Sequence, residues 1–352
     1  MINYNFFKIR NLILIFLFLF FCLDFTKNTL YNYNLKFLDI GDERDPYEIF
    51  YQDTININNE RIEFFEKREF YQSHNLENRH LLRWVFEKNY SKLIQIINKF
   101  SNNIGKKFLT IYSAFVGLLF FSIFLFTSGI VFKINNNFKY SLGYVSIPYL
   151  SILLYIFYYK FNAGEIRFSI AETLLLISAL YFVLLQKKIY FYLYIFICLI
   201  SPLVRETGII ISTLYFFHIL ILDRKVSYKG LLIPILSSIP LIILNYDIIL
   251  NIFNYGFLFH FGEEGGQITF AYYFSNPSPA FFLSLFYNYF IFIIPILIFY
   301  DSNNKFQKFL LFYILLYFFV LTVGTPLVAM SARFMPAILI LVYCLVYKKN
   351  NY

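Results

Sequence analysis

Carboxylates cluster in one short stretch of the chain. Asp39, Asp42 and Asp45 follow one another at intervals of three in LDIGDERDPYEIF. Carboxylates this close either coordinate a divalent cation such as Mg²⁺ or Mn²⁺ through hard oxygen ligands or supply a general base. Gly41 and Pro46 equally favour a solvated acidic turn. The spacing alone leaves both interpretations open.

A basic amphipathic helix is predicted downstream, over residues 76–100. Its leucines, isoleucines and other apolar residues fall on one side at helical spacing, which is typical of a helix lying along a membrane surface. Such a helix would present Arg79 and His80 to an anionic lipid head group, because guanidinium groups bind phosphate oxygens bidentately. Packing on a helical bundle is the structural alternative.

Ionisable residues also interrupt apolar sequence. Arg205 and Glu206 stand in SPLVRETG between Pro202 and Gly208, so a helix pair is predicted to break there and to need polar partners for its backbone. A charge at membrane depth costs about 2.5 to 3.5 kcal/mol on insertion scales and usually faces a bundle interior or cavity. Pairing between Arg205 and Glu206 would offset that cost, but it would not explain why the pair stands at a helix break.

Three more polar sites accompany this break. Glu172 begins the apolar run AETLLL, with Arg167 or Glu165 as candidate partners, and Arg333 precedes the last apolar run. Arg333 is also explained as an interfacial arginine that snorkels. Segment 252–280 contains FHFGEEGGQ, whose glycines suit either a mobile lid or a plain connector.

The composition of the chain indicates the class of protein that holds these residues in place. The 352 residues are 59% hydrophobic and 14% charged, whereas soluble domains carry about 25% charged residues. A soluble fold is therefore excluded, and the chain is predicted to be a membrane protein. The net charge of +9 does not indicate nucleic-acid binding in a membrane protein. The three cysteines lie within separate apolar runs, which argues against disulfides or a zinc site.

Apolar runs recur along the whole chain. The first follows Lys8 and Arg10 and also resembles a signal peptide, but it lacks a small-residue cleavage site and is predicted to be retained. We predict an all-α, polytopic membrane bundle of about ten transmembrane helices. The predicted spans are 11–25, 108–132, 141–159, 169–185, 189–204, 208–222, 231–251, 281–300, 309–325 and 334–347.

The distribution of lysine predicts the orientation of the bundle. Lysines and arginines concentrate in alternate short loops, and such loops face the cytoplasm. Residues 1–352 then form one membrane domain of the cytoplasmic (inner) membrane, with both termini cytoplasmic. Segment 26–107, with its amphipathic helices, and segment 252–280 become extracytoplasmic loops.

These features together resemble the GT-C superfamily, multispanning glycosyltransferases that take sugar from a polyprenyl-phosphate carrier. Gly41, Asp42 and Tyr47 look like the aspartate-plus-tyrosine signature of its first outside loop, with Asp45 as a second candidate. Arg79 in NRHLLRW matches an arginine-plus-aliphatic segment before the second span. SPLVRETG resembles a middle pair of spans, and ARFMPAILIL resembles the start of the last helix. The resemblance implies a small bacterial member.

The resemblance also implies roles. Asp42, with Asp45, would deprotonate the acceptor hydroxyl or hold a divalent cation, Mg²⁺ or Mn²⁺. Arg205, Arg333 and Arg79 would bind the phosphate of the departing lipid. The supporting residues would be Glu206, Asp39, Glu172 and His80. The partners would be a polyprenyl-phosphate sugar, membrane lipid and a glycan, lipid or protein acceptor, with no nucleic acid.

Two other functions fit the same sequence. An O-antigen or exopolysaccharide polymerase also has about ten spans and an outside active site, but the acidic cluster soon after the first span favours a transferase. A transporter or lipid-linked sugar flippase would use Arg205, Glu206 and Glu172 as a coupling site. Transport favours polar residues spread through the membrane midplane, whereas here they gather at the outer ends of spans.

Overall fold

The computed structural model describes six ranges of the chain. They are 9–35, 104–135, 163–204, 206–244, 293–324 and 335–346. Within these ranges every regular element is helical and there is no strand. The predicted all-α class is therefore confirmed for this part of the chain.

The helices follow the apolar runs closely. α1 and α2 extend beyond the predicted spans, and predicted span 141–159 lies outside the described residues together with most of 281–300. Between Glu206 and Asp223 the chain passes through three kinds of helix without a break. The elements are α1 (Ile9–Leu35), α2 (Ile104–Asn135), α3 (Ala163–Leu185), α4 (Lys188–Val204), a 3-10 helix (Glu206–Thr213), α5 (Leu214–His218), a π-helix (Ile219–Asp223), α6 (Tyr228–Leu244), α7 (293–299), α8 (Lys305–Gly324) and α9 (Met335–Val346).

The chain divides into two compact units. Unit 1 comprises Met1–Ser122 and Asp247–His260, and unit 2 comprises Ile123–Tyr246 and Phe261–Tyr352. In unit 1, Gly117 on α2 lets two backbones approach closely, because a Cβ there would lie 3.0 Å from the carbonyl oxygen of Cys22 on α1. A side chain at this position would therefore separate α1 from α2.

Unit 2 is built around α3 and α4. α3 packs against α4 and α9, α4 packs against the 3-10 helix and α6, and α8 packs against α9. Large aromatic side chains fill the interior between them, since Tyr194, Phe309, Tyr313 and Tyr317 are fully buried. Aromatic side chains bury large areas, so this layer supplies much of the packing energy of the unit.

Non-glycine residues in the left-handed conformation terminate two of the helical stretches. Gln186 follows α3 and Arg224 follows the π-helix, each with φ of 53°. A left-handed residue directly after a helix is a common stop because it redirects the chain. Both stops stand next to lysines, Lys187 and Lys225.

The outer surface of several helices is apolar. On α4 the exposed side chains include Ile189, Tyr192 and Phe196, with Phe196 60% exposed, and they recur at helical spacing. α6 shows the same pattern through Leu232, Ile235 and others. Contiguous apolar patches of this kind are uncommon on soluble monomers and mark contact with lipid or protein.

Several hydroxyl side chains, by contrast, are buried and bond to their own helix. The hydroxyls of Thr26 and Ser128 donate to carbonyl oxygens one turn earlier, at 2.6 and 2.7 Å, and Ser178 and Ser237 do the same. Such bonds satisfy a buried hydroxyl without any neighbouring helix. Thr127 is an exception among the described residues, since its buried hydroxyl has no hydrogen-bond partner.

One segment of the described chain is long and apolar enough to cross a bilayer. It is Ser113–Val131 in α2. Shorter apolar helical stretches are Ile15–Asp24, Ile170–Leu185, Lys188–Val204 and Thr207–Asp223. By length and composition, then, the described residues provide one candidate membrane-spanning helix.

Candidate functional site

A buried carboxylate lies near the middle of α3. Glu172 is 2% exposed, and its Oε1 accepts a hydrogen bond of 2.7 Å from the hydroxyl of Thr207 in the 3-10 helix. The hydroxyl of Tyr317 on α8 donates to the same oxygen at 3.4 Å. Glu172 therefore ties together three elements of unit 2.

Directly beside this contact, the chain changes from one helix to another. α4 contains Pro202 and ends at Val204, and the 3-10 helix begins at Glu206. The hydroxyl of Ser201 donates to the carbonyl oxygen of Gly208 at 2.9 Å, which joins the two helices across the break. Gly208 is required there, since a Cβ would lie 2.3 Å from the carbonyl oxygen of Ser201.

Tyr194 provides side-chain hydrogen bonds to the 3-10 helix. Its hydroxyl on α4 donates to the carbonyl oxygen of Ser212 at 2.6 Å and lies 3.2 Å from that of Ile211. The same hydroxyl accepts a bond of 3.2 Å from the backbone N–H of Tyr215. Because unsatisfied backbone groups are costly away from water, this hydroxyl stabilises the irregular segment.

Tyr313 on α8 also bonds to the 3-10 helix. Its hydroxyl on α8 donates to the carbonyl oxygen of Ile210 and lies 3.0 Å from the hydroxyl of Thr213. Tyr313 and Tyr317 are one turn apart on α8, so one face of this helix reaches both the 3-10 helix and Glu172. The 3-10 helix is thus held by side chains from α3, α4 and α8.

Helix directions separate the polar groups of unit 2 into two ends. α4 and the segment 206–223 are antiparallel, since Tyr194 meets Ser212 while Ser201 meets Gly208. We call the end with Glu172, Thr207 and Tyr317 the glutamate end. The opposite end we call the cationic end; it carries the exposed residues Lys187, Lys188, Arg224, Lys225, Lys229, Lys305 and Lys308.

Hydrogen bonds join the elements of the cationic end. The ammonium of Lys305 donates to the carbonyl oxygen of Leu222 at 3.2 Å. The buried amide of Gln307 donates to the carbonyl oxygens of Leu345 and Phe299, at 2.8 and 3.1 Å, and accepts from the N–H of Asp301 at 2.7 Å. The start of α8 is thereby fixed to the end of α9 and to the turn after α7.

Of the site residues predicted from sequence, the structure describes two. Glu172 is buried in the polar contact above, and Glu206 is the first residue of the 3-10 helix. Arg167 and Glu165, predicted to lie in a loop, fall instead within α3, because the helix begins at Ala163. The remaining predictions lie outside the described residues: Asp39, Asp42, Asp45, Arg79, His80, Arg205 and Arg333.

The predicted metal ligands, Asp42 and Asp45, are among the residues that are not described. In the six described ranges no group of three or more His, Cys, Asp or Glu side chains could hold a metal ion. The three cysteines, Cys22, Cys198 and Cys344, are buried and unpaired by disulfides. A divalent cation at Asp42 and Asp45 remains a prediction.

Several residues that bond to the 3-10 helix or to Glu172 were not predicted from sequence. Thr207 directly follows the Arg205–Glu206 dipeptide, and its short hydroxyl side chain at a helix break is a usable signal. Tyr194, Tyr313 and Tyr317 carry no such signal, because they are three among 32 tyrosines. Only the tertiary structure distinguishes them.

Comparison with known protein families, with curated proteins and with solved structures finds no match for this chain. The chemistry of the site therefore has to be inferred from its own geometry. A buried carboxylate held by two hydroxyls at a helix break can accept hydrogen bonds, orient the adjoining backbone or hold a proton.

Proposed function

We propose that this chain is a multispanning membrane glycosyltransferase that moves a sugar from a polyprenyl-phosphate carrier to an acceptor on the extracytoplasmic side. The buried carboxylate of Glu172, bonded to Thr207 beside the Arg205–Glu206 dipeptide, is the main support. Ionisable groups inside apolar helices are rare and usually serve function. This one adjoins a motif that resembles the GT-C superfamily.

The separation of charge in unit 2 supports a membrane-embedded arrangement. The exposed cations of the cationic end would face the cytoplasm, as the positive-inside rule requires. The glutamate end would then face the extracytoplasmic side, where a lipid carrier presents its sugar. Apolar side chains such as Phe196 and Ile235 on the outer surface fit lipid contact between the two ends.

The proposed transfer is an inverting displacement at the anomeric carbon of the sugar. The acceptor hydroxyl oxygen bonds to the anomeric carbon while the bond from that carbon to the phosphate oxygen breaks. Asp42, with Asp45 in support, takes the proton of the acceptor. Arg205, Arg333 and Arg79 bind the polyprenyl phosphate as its charge grows. Asp42 and Asp45 are also the residues that would hold Mg²⁺ or Mn²⁺.

A reconstituted assay tests this function. Purified protein in liposomes receives short-chain polyprenyl phosphates that carry a radiolabelled hexose or pentose, with envelope membranes as the source of acceptor. We expect label to leave the carrier, and we expect Asp42→Asn to lower the rate by roughly 100-fold or more, as loss of a general base does. The rate of the wild-type protein after EDTA treatment tests whether the transfer needs a divalent cation.

The matched control is Asp223→Asn, because Asp223 is an exposed acid at the cationic end. This variant should retain the rate of the wild type. If label stays on every carrier in the panel, or if Asp42→Asn and Arg205→Ala both turn over normally, the transferase proposal is wrong. Incorporation of long repeating chains from a lipid-linked oligosaccharide would favour the polymerase instead.

A transporter is the second candidate, and one observation favours it. The apolar helix pair is interrupted at the 3-10 helix beside a buried carboxylate, and transporters use interrupted helices to bind substrate. Sealed liposomes distinguish the two functions. Movement of labelled lipid-linked sugar between leaflets, with its glycosidic bond intact, would replace the transferase proposal.

A further inference from the structure

Exposed cations of unit 2 stand directly beside exposed apolar side chains. Lys188 begins α4, Lys229 is the second residue of α6, and both are exposed. One turn further along the same helices, Tyr192 is 55% exposed and Leu232 is 54% exposed. Water solvates the cations well, but it disfavours a contiguous apolar surface beside them. This part of the cationic end is therefore amphiphilic, with a charged edge and an apolar continuation.

α4 and α6 run in the same direction. α4 is antiparallel to segment 206–223, as its bonds to the 3-10 helix show. α6 is antiparallel to that segment too, because its start meets Phe216 of α5 while it also packs against the 3-10 helix, which lies further from the cationic end. The two parallel helices pack against each other. Their exposed apolar faces therefore both begin at the cationic end.

The first lysine of α4 and the lysine of α6 lie at the same level of the bundle. On α4, the ring centroid of Phe191 is 4.8 Å from that of Tyr215 in α5. On α6, a Cβ at Gly230 would lie 2.9 Å from the Cα of Phe216, the next residue of α5. The lysine of α4 precedes Phe191 by three residues, and the lysine of α6 precedes Gly230 by one. At a rise of about 1.5 Å per residue, the two lysines lie within one helical turn of each other along the axis.

The charge and the apolar surface together select a class of ligand. Among the described residues, the acids at this end are Asp223 and Asp301, and the cations of the cationic end outnumber them. Such an excess attracts anions. A nucleic acid or an acidic protein would match the cations but not the apolar side chains one turn away. An amphiphile with an anionic head and hydrocarbon chains matches both.

We propose that the cationic end binds an anionic phospholipid of the cytoplasmic leaflet. Lys188 and Lys229 bind its phosphate, and its acyl chains lie along the exposed faces of α4 and α6. Tyr192 and Tyr228, which are 55% and 80% exposed, lie beside these lysines, and tyrosine is favoured at the level of lipid head groups. This inference rests on the membrane-embedded arrangement of the proposed function, but not on glycosyl transfer.

Fluorescence quenching measures lipid binding at this place. In the full chain, Trp84→Phe removes the single tryptophan, and Tyr192→Trp supplies a reporter four residues from Lys188. The protein is reconstituted in phosphatidylcholine vesicles that contain dibrominated phosphatidylglycerol or, for reference, dibrominated phosphatidylcholine. Each cation near an anionic head group strengthens binding about fivefold. We therefore expect the reporter to show a preference of about 25-fold for phosphatidylglycerol.

Replacing the two lysines should abolish this preference. Lys188→Gln and Lys229→Gln should each lower it about fivefold, and together they should lower it to about one. Lys308→Gln is the matched control, because it removes the same charge from α8, which packs against α5, the π-helix and α9. It should leave the preference unchanged. Ile243→Trp places a second reporter at the other end of α6, where the residue is 70% exposed, and should show no preference.

Three results would overturn the proposal. Equal quenching of the Tyr192→Trp reporter by the two lipids, or quenching by neither, would mean that the cations are only solvated. An equal loss in Lys308→Gln and Lys188→Gln would indicate attraction by net charge without a local site. Displacement of dibrominated phosphatidylglycerol by inorganic phosphate, but not by chloride at the same ionic strength, would indicate a site for free phosphate. Because no sugar transfer is measured, failure of the transferase proposal leaves these outcomes unaffected.

Discussion

The two ends of unit 2 use polar residues in opposite ways. At the cationic end the charged side chains are exposed, and the buried polar contact is a neutral amide, Gln307, bonded to backbone groups. At the glutamate end the ionisable group itself, Glu172, is buried and bonded to Thr207 and Tyr317. Each end adjoins an irregular helix, the π-helix at the cationic end and the 3-10 helix at the glutamate end, but at the second end a buried carboxylate bonds to it.

This contrast predicts where substitutions matter. Exposed charges contribute little to stability because water solvates them, while buried polar groups are costly to leave without partners. Stability should therefore depend on the glutamate end and on Gln307, and hardly at all on the lysines. Four sets of variants test that ranking.

The largest effect is expected for Gly208→Ala. The added Cβ would lie 2.3 Å from the carbonyl oxygen of Ser201, so backbone has to move, and the free energy of unfolding should fall by about 3 kcal/mol. Gly129→Ala is the control, since its nearest neighbour is the ring edge of Tyr181 at 2.8 Å, which can rotate away. Thermal unfolding in detergent compares the two; equal Tm values would contradict the close approach.

Gln307→Leu should have the next largest effect. It removes the amide that bonds Phe299, Asp301 and Leu345, and leaves buried backbone groups without partners. The expected loss is about 2 kcal/mol. Asn303→Leu, at an exposed position in the same turn, should leave Tm nearly unchanged. If both variants lose the same stability, the amide contributes nothing specific.

A smaller loss is expected for Tyr194→Phe. This substitution keeps the ring but removes the hydroxyl that bonds the 3-10 helix and Tyr215, at a cost of about 1 to 2 kcal/mol. Tyr192→Phe at the exposed face of α4 again serves as the control. Faster hydrogen exchange at residues 211–215 in the Tyr194 variant alone would locate the effect; equal exchange would argue against it.

The smallest effect on stability is expected at the cationic end. Replacing Arg224, Lys225 and Lys229 with Ser should change the free energy of unfolding by less than about 0.5 kcal/mol, because all three are exposed. Orientation should change instead, since these cations are proposed to face the cytoplasm. Reporter fusions at positions 227 and 265 measure it. A wild-type reporter at 227 on the extracytoplasmic side would refute the proposed topology.

The positions of the helices were predictable where hydropathy alone determines them. The apolar run 189–204 coincides with α4 almost to the residue, and run 169–185 ends where α3 ends, although α3 begins six residues earlier, at Ala163. α1 continues to Leu35, past the predicted end of its span, because hydropathy reports membrane depth and a helix can continue through polar residues. Pro202 and Gly208 correctly predicted the break between α4 and the next helix.

The form of that break was not predictable. No local pattern specifies an extended 3-10 helix, since its restraints come from Glu172, Tyr194 and Tyr313 on other elements. Glu172 was recognised as an unusual acid, but the sequence suggested Arg167 or Glu165 as partners because they are near in the chain. Two partners that the structure shows are 35 and 145 residues away, and sequence patterns carry no information on contacts over that separation.

That separation has a consequence for how the protein is made. The hydroxyls of Thr26, Ser128 and Ser237 bond within their own helices, so these three groups are satisfied as soon as each helix forms. The carboxylate of Glu172 is not, because the hydroxyls of Thr207 and Tyr317 are synthesised later, the second only with α8. The Glu172 carboxylate therefore cannot complete its bond to Tyr317 until α8 has been synthesised.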